Sequence, residues 1–364
     1  MEEVPMSEIR KIVPDDMEEP TWPTSSPLTI AQVLRQADRQ VNLGQMQDYV
    51  PLPLGFDQID RVIGGGLMRG ELVLLGGAQG IGKTIFALQA ARNLALNDKL
   101  YAFYVSYEHP ETHLLHRLLC MESIDPQARE YQHGLRMRDL RNVVLTKRAG
   151  EGRGQGQGLY QILQGHPLAR RSLKKIAEYA NRLIVMKGNP VNTNLQALRS
   201  LTHRLVTTCE GNVALFVDYL QKVSVEPIKT ADENDKVTII VEGLKDLALS
   251  LNIPVFAIVA ADREGLQAKR LHLHHLRGSS ALDYECDIAI IMNNKYYIIS
   301  RDHIAFDPYK AESYRNWIIC TVEKNRSGRG MIDTEFELRS EYFCFNPLGN
   351  IVEQRLIDEK LVYE

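Results

Sequence analysis

The chain has 364 residues, 44% hydrophobic and 24% charged, with a formal net charge of −3. This is enough apolar material for one large or two modest folded domains, and no apolar stretch is long enough to span a bilayer. The near-balanced charge argues against a uniformly basic protein, and five scattered cysteines without C-x-x-C spacing argue against a disulfide framework or a cysteine zinc site.

The first 27 residues are acidic and contain proline, with no apolar signal core, so a disordered tail on a cytoplasmic protein is expected. Residues 28–49 contain a helical pattern, with Ile30, Val33, Leu34, Ala37 and Val41 on one stripe. Such a helix needs a surface to pack on, in its own domain or on a neighbouring subunit. The turn-rich segment 51–70 leads into ELVLLGG (71–77), an apolar run suited to a buried parallel strand.

Residues 77–84 read GAQGIGKT, the phosphate-binding P-loop pattern G-x-x-x-x-G-K-[ST]. Gly77, Ala78, Gln79, Gly80, Ile81 and Gly82 supply a loop whose backbone N–H groups can turn inward around phosphate oxygens. Lys83 is placed to reach β- and γ-phosphates, and the Thr84 hydroxyl to ligate Mg²⁺. A helix follows, and its N-terminal dipole favours the same anion.

The strand YAFYVSYE (101–108) ends in Glu108, which could polarise an attacking water at the C-terminal edge of a parallel sheet or cap the helix starting near Pro110. The segment 129–182 carries twelve Arg or Lys against four Asp or Glu. It could face nucleic acid or form a solvated face with a loop at 151–158. The strand VALFVDYLQ (213–221) contains Asp218, either a Mg²⁺ ligand acting through water or a turn-capping acid. Helical stretches at 193–209 and 236–252 alternate with further apolar runs at 253–261, 287–294 and 317–326. The pattern predicts an α/β domain over about 50–350, with a mainly parallel sheet covered by helices on both faces, and a tail over 351–364. Lys324 and Arg326, two positions apart in an extended segment, share a side and can converge on one phosphate. The run HLHH (272–275) lacks suitably spaced cysteine or carboxylate partners for a metal.

The segments GFDQIDRVIGGGLMRGEL, GAQGIGKT, VSYEHP, FVDYLQ, NIPVFAIVAADR, LRGSSALDYECDIAII and EKNRSGRG, in that order, resemble the C-terminal ATPase domain of DnaB-type hexameric replicative helicases. The resemblance implies a RecA-like P-loop NTPase fold and an ATP- and Mg²⁺-dependent helicase or translocase on single-stranded DNA. It also implies a homo-oligomeric ring, a hexamer in that family, and replication or loading proteins as partners. On it, Lys83 and Thr84 are the P-loop pair, Glu108 the catalytic glutamate and Asp218 the Walker B acid. Lys324 and Arg326 match the pair inserted into the adjacent subunit's site, and the helix at 28–49 resembles the linker that docks on that subunit. Loop 262–278 would face single-stranded DNA, with Lys269, Arg270 and Arg277 as phosphate contacts.

Three features depart from the family pattern. Ala260 stands where a polar sensor, typically Gln, ends the strand, so coupling of hydrolysis to movement depends on Asp262 or Arg263 substituting. The usual helical N-terminal domain is not expected ahead of the linker-like helix, nor is primase recruitment through it. The basic insertion is also longer than the pattern requires. A KaiC- or RadA-like regulatory ATPase without unwinding activity is the alternative, because LRGSSALDYECDIAII suits those relatives too.

Overall fold

The computed structural model describes residues 27–97, 99–128, 133–149, 157–228, 230, 232–298 and 312–352. The expected acidic tail, most of the 151–158 loop and most of the C-terminal tail lie outside them. The chain divides into two units, residues 1–50 and 51–364.

In the first unit, helix α1 (Ile30–Asn42) starts with a capping box. Gln32 N donates to Thr29 Oγ1 at 3.3 Å, and Thr29 N donates to Gln32 Oε1 at 2.8 Å. These reciprocal bonds satisfy two backbone donors that a helix start otherwise leaves open. Within this unit Ile30, Val33, Leu34 and Val41 are exposed, and no residue of the helix is buried.

The second unit is built on a ten-stranded sheet. Its strands are β1 (Leu72–Gly77), β2 (Tyr101–Ser106), β3 (Leu183–Lys187), β4 (Val213–Asp218), β5 (Val255–Ala260), β6 (Ile288–Asn294), β7 (Trp317–Asn325), β8 (Ile332–Arg339), β9 (Cys344–Phe345) and β10 (Asn350–Ile351). The order is β10-β8-β7-β6-β1-β5-β4-β2-β3, with β9 paired to β8. From β6 through β3 every pairing is parallel; β7 to β10 extend the sheet with antiparallel pairings. The central strands are apolar at nearly every position because both faces are covered. Successive residues point to opposite faces: Val73 and Leu75 join one core cluster with Phe86 and Phe256, while Leu72 and Leu74 join another with Leu198, Ile240 and Leu244.

Helix α2 (Asp57–Val62) precedes β1, and between the strands lie α3 (Lys83–Ala95), α4 (Glu111–Met121), α5 (Met137–Ala149), α6 (Leu159–Gln164), α7 (Pro167–Ala177), α8 (Leu195–Thr208), α9 (Glu233–Leu251), α10 (Ser279–Glu285) and α11 (Lys295–Ile298). Helix α3 supplies Phe86 to the first core face, and α8 and α9 supply Leu198 and Ile240 to the second. The basic segment 129–182 is largely helical where described, and its Leu135, Leu140, Leu163 and Ala169 form a small apolar cluster with Leu119 of α4. Several of its cations serve the chain itself. Arg182 Nε donates to Ala95 O at 2.9 Å, Lys175 Nζ to Ile124 O at 3.2 Å, and Arg136 pairs with Glu341 at 2.8 Å. Among the described residues no helix is long and apolar enough to cross a membrane.

Candidate active site

Register places the chemistry at one edge of the sheet. Gly77, the last residue of β1, pairs with Ala260 at the end of β5 and with Met292 of β6. Ser106, the last residue of β2, pairs with Asp218 at the end of β4. The C-terminal ends of four parallel strands thus meet along a crevice, where open α/β sheets bind ligands.

Residues 78–82 loop from β1 into α3. Gly80 (φ 78°) and Gly82 (φ 105°) are left-handed, a conformation that other residues adopt at a steric cost. Lys83 Nζ donates to Gly77 O at 2.6 Å and Ala78 O at 2.8 Å, so the loop curls around its own ammonium. Burial pulls the Lys83 ammonium down to about 8, against the opposing pull of Asp218 and Glu108. Its charge is therefore poorly solvated and favours an anionic partner.

Asp218 is buried. Tyr104 donates its hydroxyl to Asp218 Oδ2 at 2.9 Å, and the Thr84 side chain hydrogen-bonds the same carboxylate. Burial nevertheless dominates and pushes the Asp218 carboxyl up to about 6. These contacts make it the partner of the P-loop threonine rather than the cap of a turn. A hydroxyl and a carboxylate together are hard oxygen donors, the set that suits a divalent cation also bound by phosphate oxygens. Among the described residues no group of three or more His, Cys, Asp or Glu side chains could hold a metal by protein ligands alone.

Glu108 is exposed and lines the same cleft. The N-cap of α4 is Pro110, without a side-chain capping hydrogen bond, so the alternative of a cap at Glu108 finds no support. The turn carrying Glu108 is fixed by His109 N donating to Ser106 Oγ at 2.9 Å and Tyr107 N donating to Asp218 O at 2.6 Å. The cleft, about 550 Å³ in volume, brings together Lys83, Thr84, Glu108 and Asp218.

Arg117 of α4 also lines it, a residue that sequence reasoning missed. Its Nη2 lies 2.9 Å from His109 Nε2 and its guanidinium covers the Phe343 ring at 5.2 Å. Its Nε is buried without a hydrogen-bond partner among the described residues. Burial and the neighbouring Arg117 charge pull the His109 imidazole down to about 4, so it is neutral at physiological pH.

The other expected residues lie elsewhere. Lys324 and Arg326 share one side, as their spacing predicts, and donate to the carbonyls of Asp283 and Tyr284 in α10. Arg326 also pairs with Asp287 at 3.2 Å. Neither lines the cleft of its own chain. In loop 262–278, Lys269 is exposed and Arg277 pairs with Glu233 at the surface. Arg270 differs from expectation: its guanidinium pairs with Asp333 and donates to Thr321 Oγ1 at 2.9 Å, which binds it to the sheet rather than offering it to solvent. Ala260 and Ala261 line the cleft, whereas Asp262 and Arg263 do not. Asp262 Oδ1 instead accepts from Gly265 N at 2.7 Å and closes a local turn.

Comparison with known proteins identifies the family. The family model for the DnaB-like helicase C terminal domain matches residues 51–153 and 158–346. The replicative DNA helicase DnaB of Rickettsia bellii is 28% identical over 266 residues, covering 69% of this chain and 47% of that protein. DnaB of Geobacillus stearothermophilus is 24% identical over 280 residues, covering 76% and 52%. A probable plasmid replicative DNA helicase of Chlamydia psittaci is 26% identical over 286 residues, covering 77% and 52%. The chain spans about half the length of these relatives.

Among solved structures, one described as an ATPase domain superposes with a TM-score of 0.63 at 22% identity, covering 91% of this chain and 100% of that one. A DnaB-like replicative helicase, described with its interactions with primase, gives 0.63 at 21% identity, covering 87% and 68%. The fold is that of the DnaB-like RecA-type ATPases, and the match favours this group over the KaiC- or RadA-like alternative. The chain belongs to the DnaB-like helicase C-terminal domain family.

Proposed function

We propose that the protein is an ATP-driven helicase or translocase on single-stranded DNA, working as a homo-oligomeric ring of six subunits. The observation that carries this reading is the split of the site. Lys83, Thr84, Glu108 and Asp218 line one cleft, while Lys324 and Arg326 lie outside it on the same chain. A site that needs cations from a neighbour couples hydrolysis to assembly.

Lys83, Thr84 and the P-loop amides bind the triphosphate of ATP. Thr84 and Asp218 would hold Mg²⁺, which would supply charge neutralisation to the bound triphosphate. Glu108 orients a water for in-line attack and takes up its proton. The neighbour's Lys324 and Arg326 stabilise the charge that develops on the phosphoryl oxygens. Arg117, with its free Nε, adds a cation from the same chain. Lys269 and Arg277 are the proposed DNA phosphate contacts, with Arg270 bracing their loop. The weak surface pairing of Arg277 to Glu233 is easily exchanged for a phosphate. Replication or loading proteins are the proposed partners.

Steady-state ATP hydrolysis with and without single-stranded DNA tests the reading. Turnover should rise severalfold with DNA at low salt, and the stimulation should fade as salt displaces phosphate contacts. Turnover that ignores DNA at every salt concentration would remove DNA as the substrate.

A further inference from the structure

The alanine at the end of β5 leaves open how the nucleotide cleft addresses loop 262–278. The geometry points to Gln221, three residues past Asp218, as the positioning residue that links the two. This inference rests on the proposed single-stranded DNA motor.

Gln221 is buried, in the short turn that follows β4. Its Oε1 accepts from Ala260 N at 3.2 Å, and its Nε2 donates weakly to Arg277 O at 3.5 Å. Its own carbonyl accepts from Lys236 Nζ of α9 at 3.0 Å. The backbone there is zipped as well: Arg277 N donates to Ala260 O at 3.1 Å, Ala261 bridges Leu276, and Asp262 N donates to His275 O at 2.9 Å. Leu276 in turn packs so tightly over Gly76 of β1 that a Cβ at Gly76 would lie 2.6 Å from it.

One amide side chain therefore clamps the end of β5 to the returning end of the loop. It is carried by the same short turn as Asp218, whose carboxylate faces the phosphate site. A shift of Asp218 on nucleotide exchange moves this turn, and both hydrogen bonds of Gln221 move with it. The loop's two ends are pulled together or released, and Lys269 and Arg277 follow. A backbone amide here takes the place of a polar sensor side chain, because Ala260 offers only its N–H.

The test compares wild type, Q221L and Q221E. Leucine removes both bonds; glutamate keeps an acceptor for Ala260 N–H and loses the donor to Arg277 O. The readouts are DNA-free kcat and KM for ATP, the stimulation by single-stranded DNA, and amide hydrogen exchange at Ala260 in the nucleotide-free protein. Q221L should keep DNA-free kcat and KM within about twofold, lose at least about fivefold in DNA stimulation, and exchange faster at Ala260. Q221E should retain protection at Ala260 yet lose stimulation.

Q221L stimulated like wild type, despite faster exchange at Ala260, overturns the coupling role. If Q221L does not fold, Q221E decides: stimulation equal to wild type overturns the proposal, and its loss supports it. A wild type that DNA does not stimulate overturns the motor reading itself and this inference with it, a result separable from a stimulated wild type with indifferent variants.

Discussion

At the scale of single residues, Lys83 and Asp218 are charges that burial holds away from water. Asp218 is the clearest case. Its carboxyl stands at about 6 in the fold against an ordinary 3.8, so the folded protein binds that proton more tightly than the unfolded chain. Ionised Asp218 therefore weakens the nucleotide-free fold at neutral pH. The penalty is absent below about pH 4, grows through the window from 4 to 6, and is complete above it. D218N should raise the thermal stability of the nucleotide-free protein at pH 7.5 by the equivalent of about 1–3 kcal/mol, and the gain should shrink at pH 5. The same substitution should weaken Mg²⁺-dependent nucleotide binding, so stability and binding should move in opposite directions. Glu108 offers a cleaner separation. E108Q keeps size and shape and should leave ATP binding nearly intact while lowering turnover about 10²- to 10⁴-fold; unchanged turnover would move the base elsewhere. Arg117, missed in the sequence because it sits in the mainly apolar LLHRLLC run, is placed by α4 and by its contacts with His109 and Phe343.

At the scale of elements, two features bear on the proposed neighbour. Lys324 and Arg326 sit at the end of β7 and just beyond it, and rest on carbonyls of α10, away from their own cleft. If they serve an adjacent site, K324A/R326A subunits should be inactive alone but should recover turnover when mixed with E108Q subunits. In such mixed rings an intact cleft meets intact cations at some interfaces. A mixture as inactive as its parts would place the pair elsewhere. Helix α1 carries the second feature. Val33 and Leu34 are exposed within their own unit, so V33E/L34E should leave thermal stability nearly unchanged while shifting the mass distribution toward smaller assemblies. Sedimentation at several concentrations reads that difference.

At the scale of the whole molecule, the sheet order converts distant sequence into one cleft. Strands β1, β4 and β5 are parallel neighbours, so the residues closing each strand arrive at the same edge. Because Lys269 and Arg277 would meet DNA through solvated phosphate contacts, DNA stimulation should decline as salt rises, with a slope set by the number of such contacts in the assembly, whereas DNA-free turnover should not. Salt-independent stimulation would favour apolar or stacking contacts instead.

Much of this was legible in the chain itself. The P-loop, the strands leading to Glu108 and Asp218, and the helices α8 and α9 follow from local spacing and apolar runs, because two-sided burial leaves a strong one-dimensional signal. The α5–α7 helices were not, since Leu135, Leu140, Leu163 and Ala169 are too sparse to announce a small core. Nor was β8, whose mix of polar and apolar residues reflects partial burial in the antiparallel extension. Sequence alone determined the phosphate chemistry, because a glycine-rich loop with Lys83 and Thr84 acts through contiguous residues. Only the tertiary structure decided that Arg117 enters the cleft, that Arg270 is bound to the sheet and that Gln221 grips Ala260. Those contacts join residues dozens of positions apart, and no local pattern encodes which strands become neighbours.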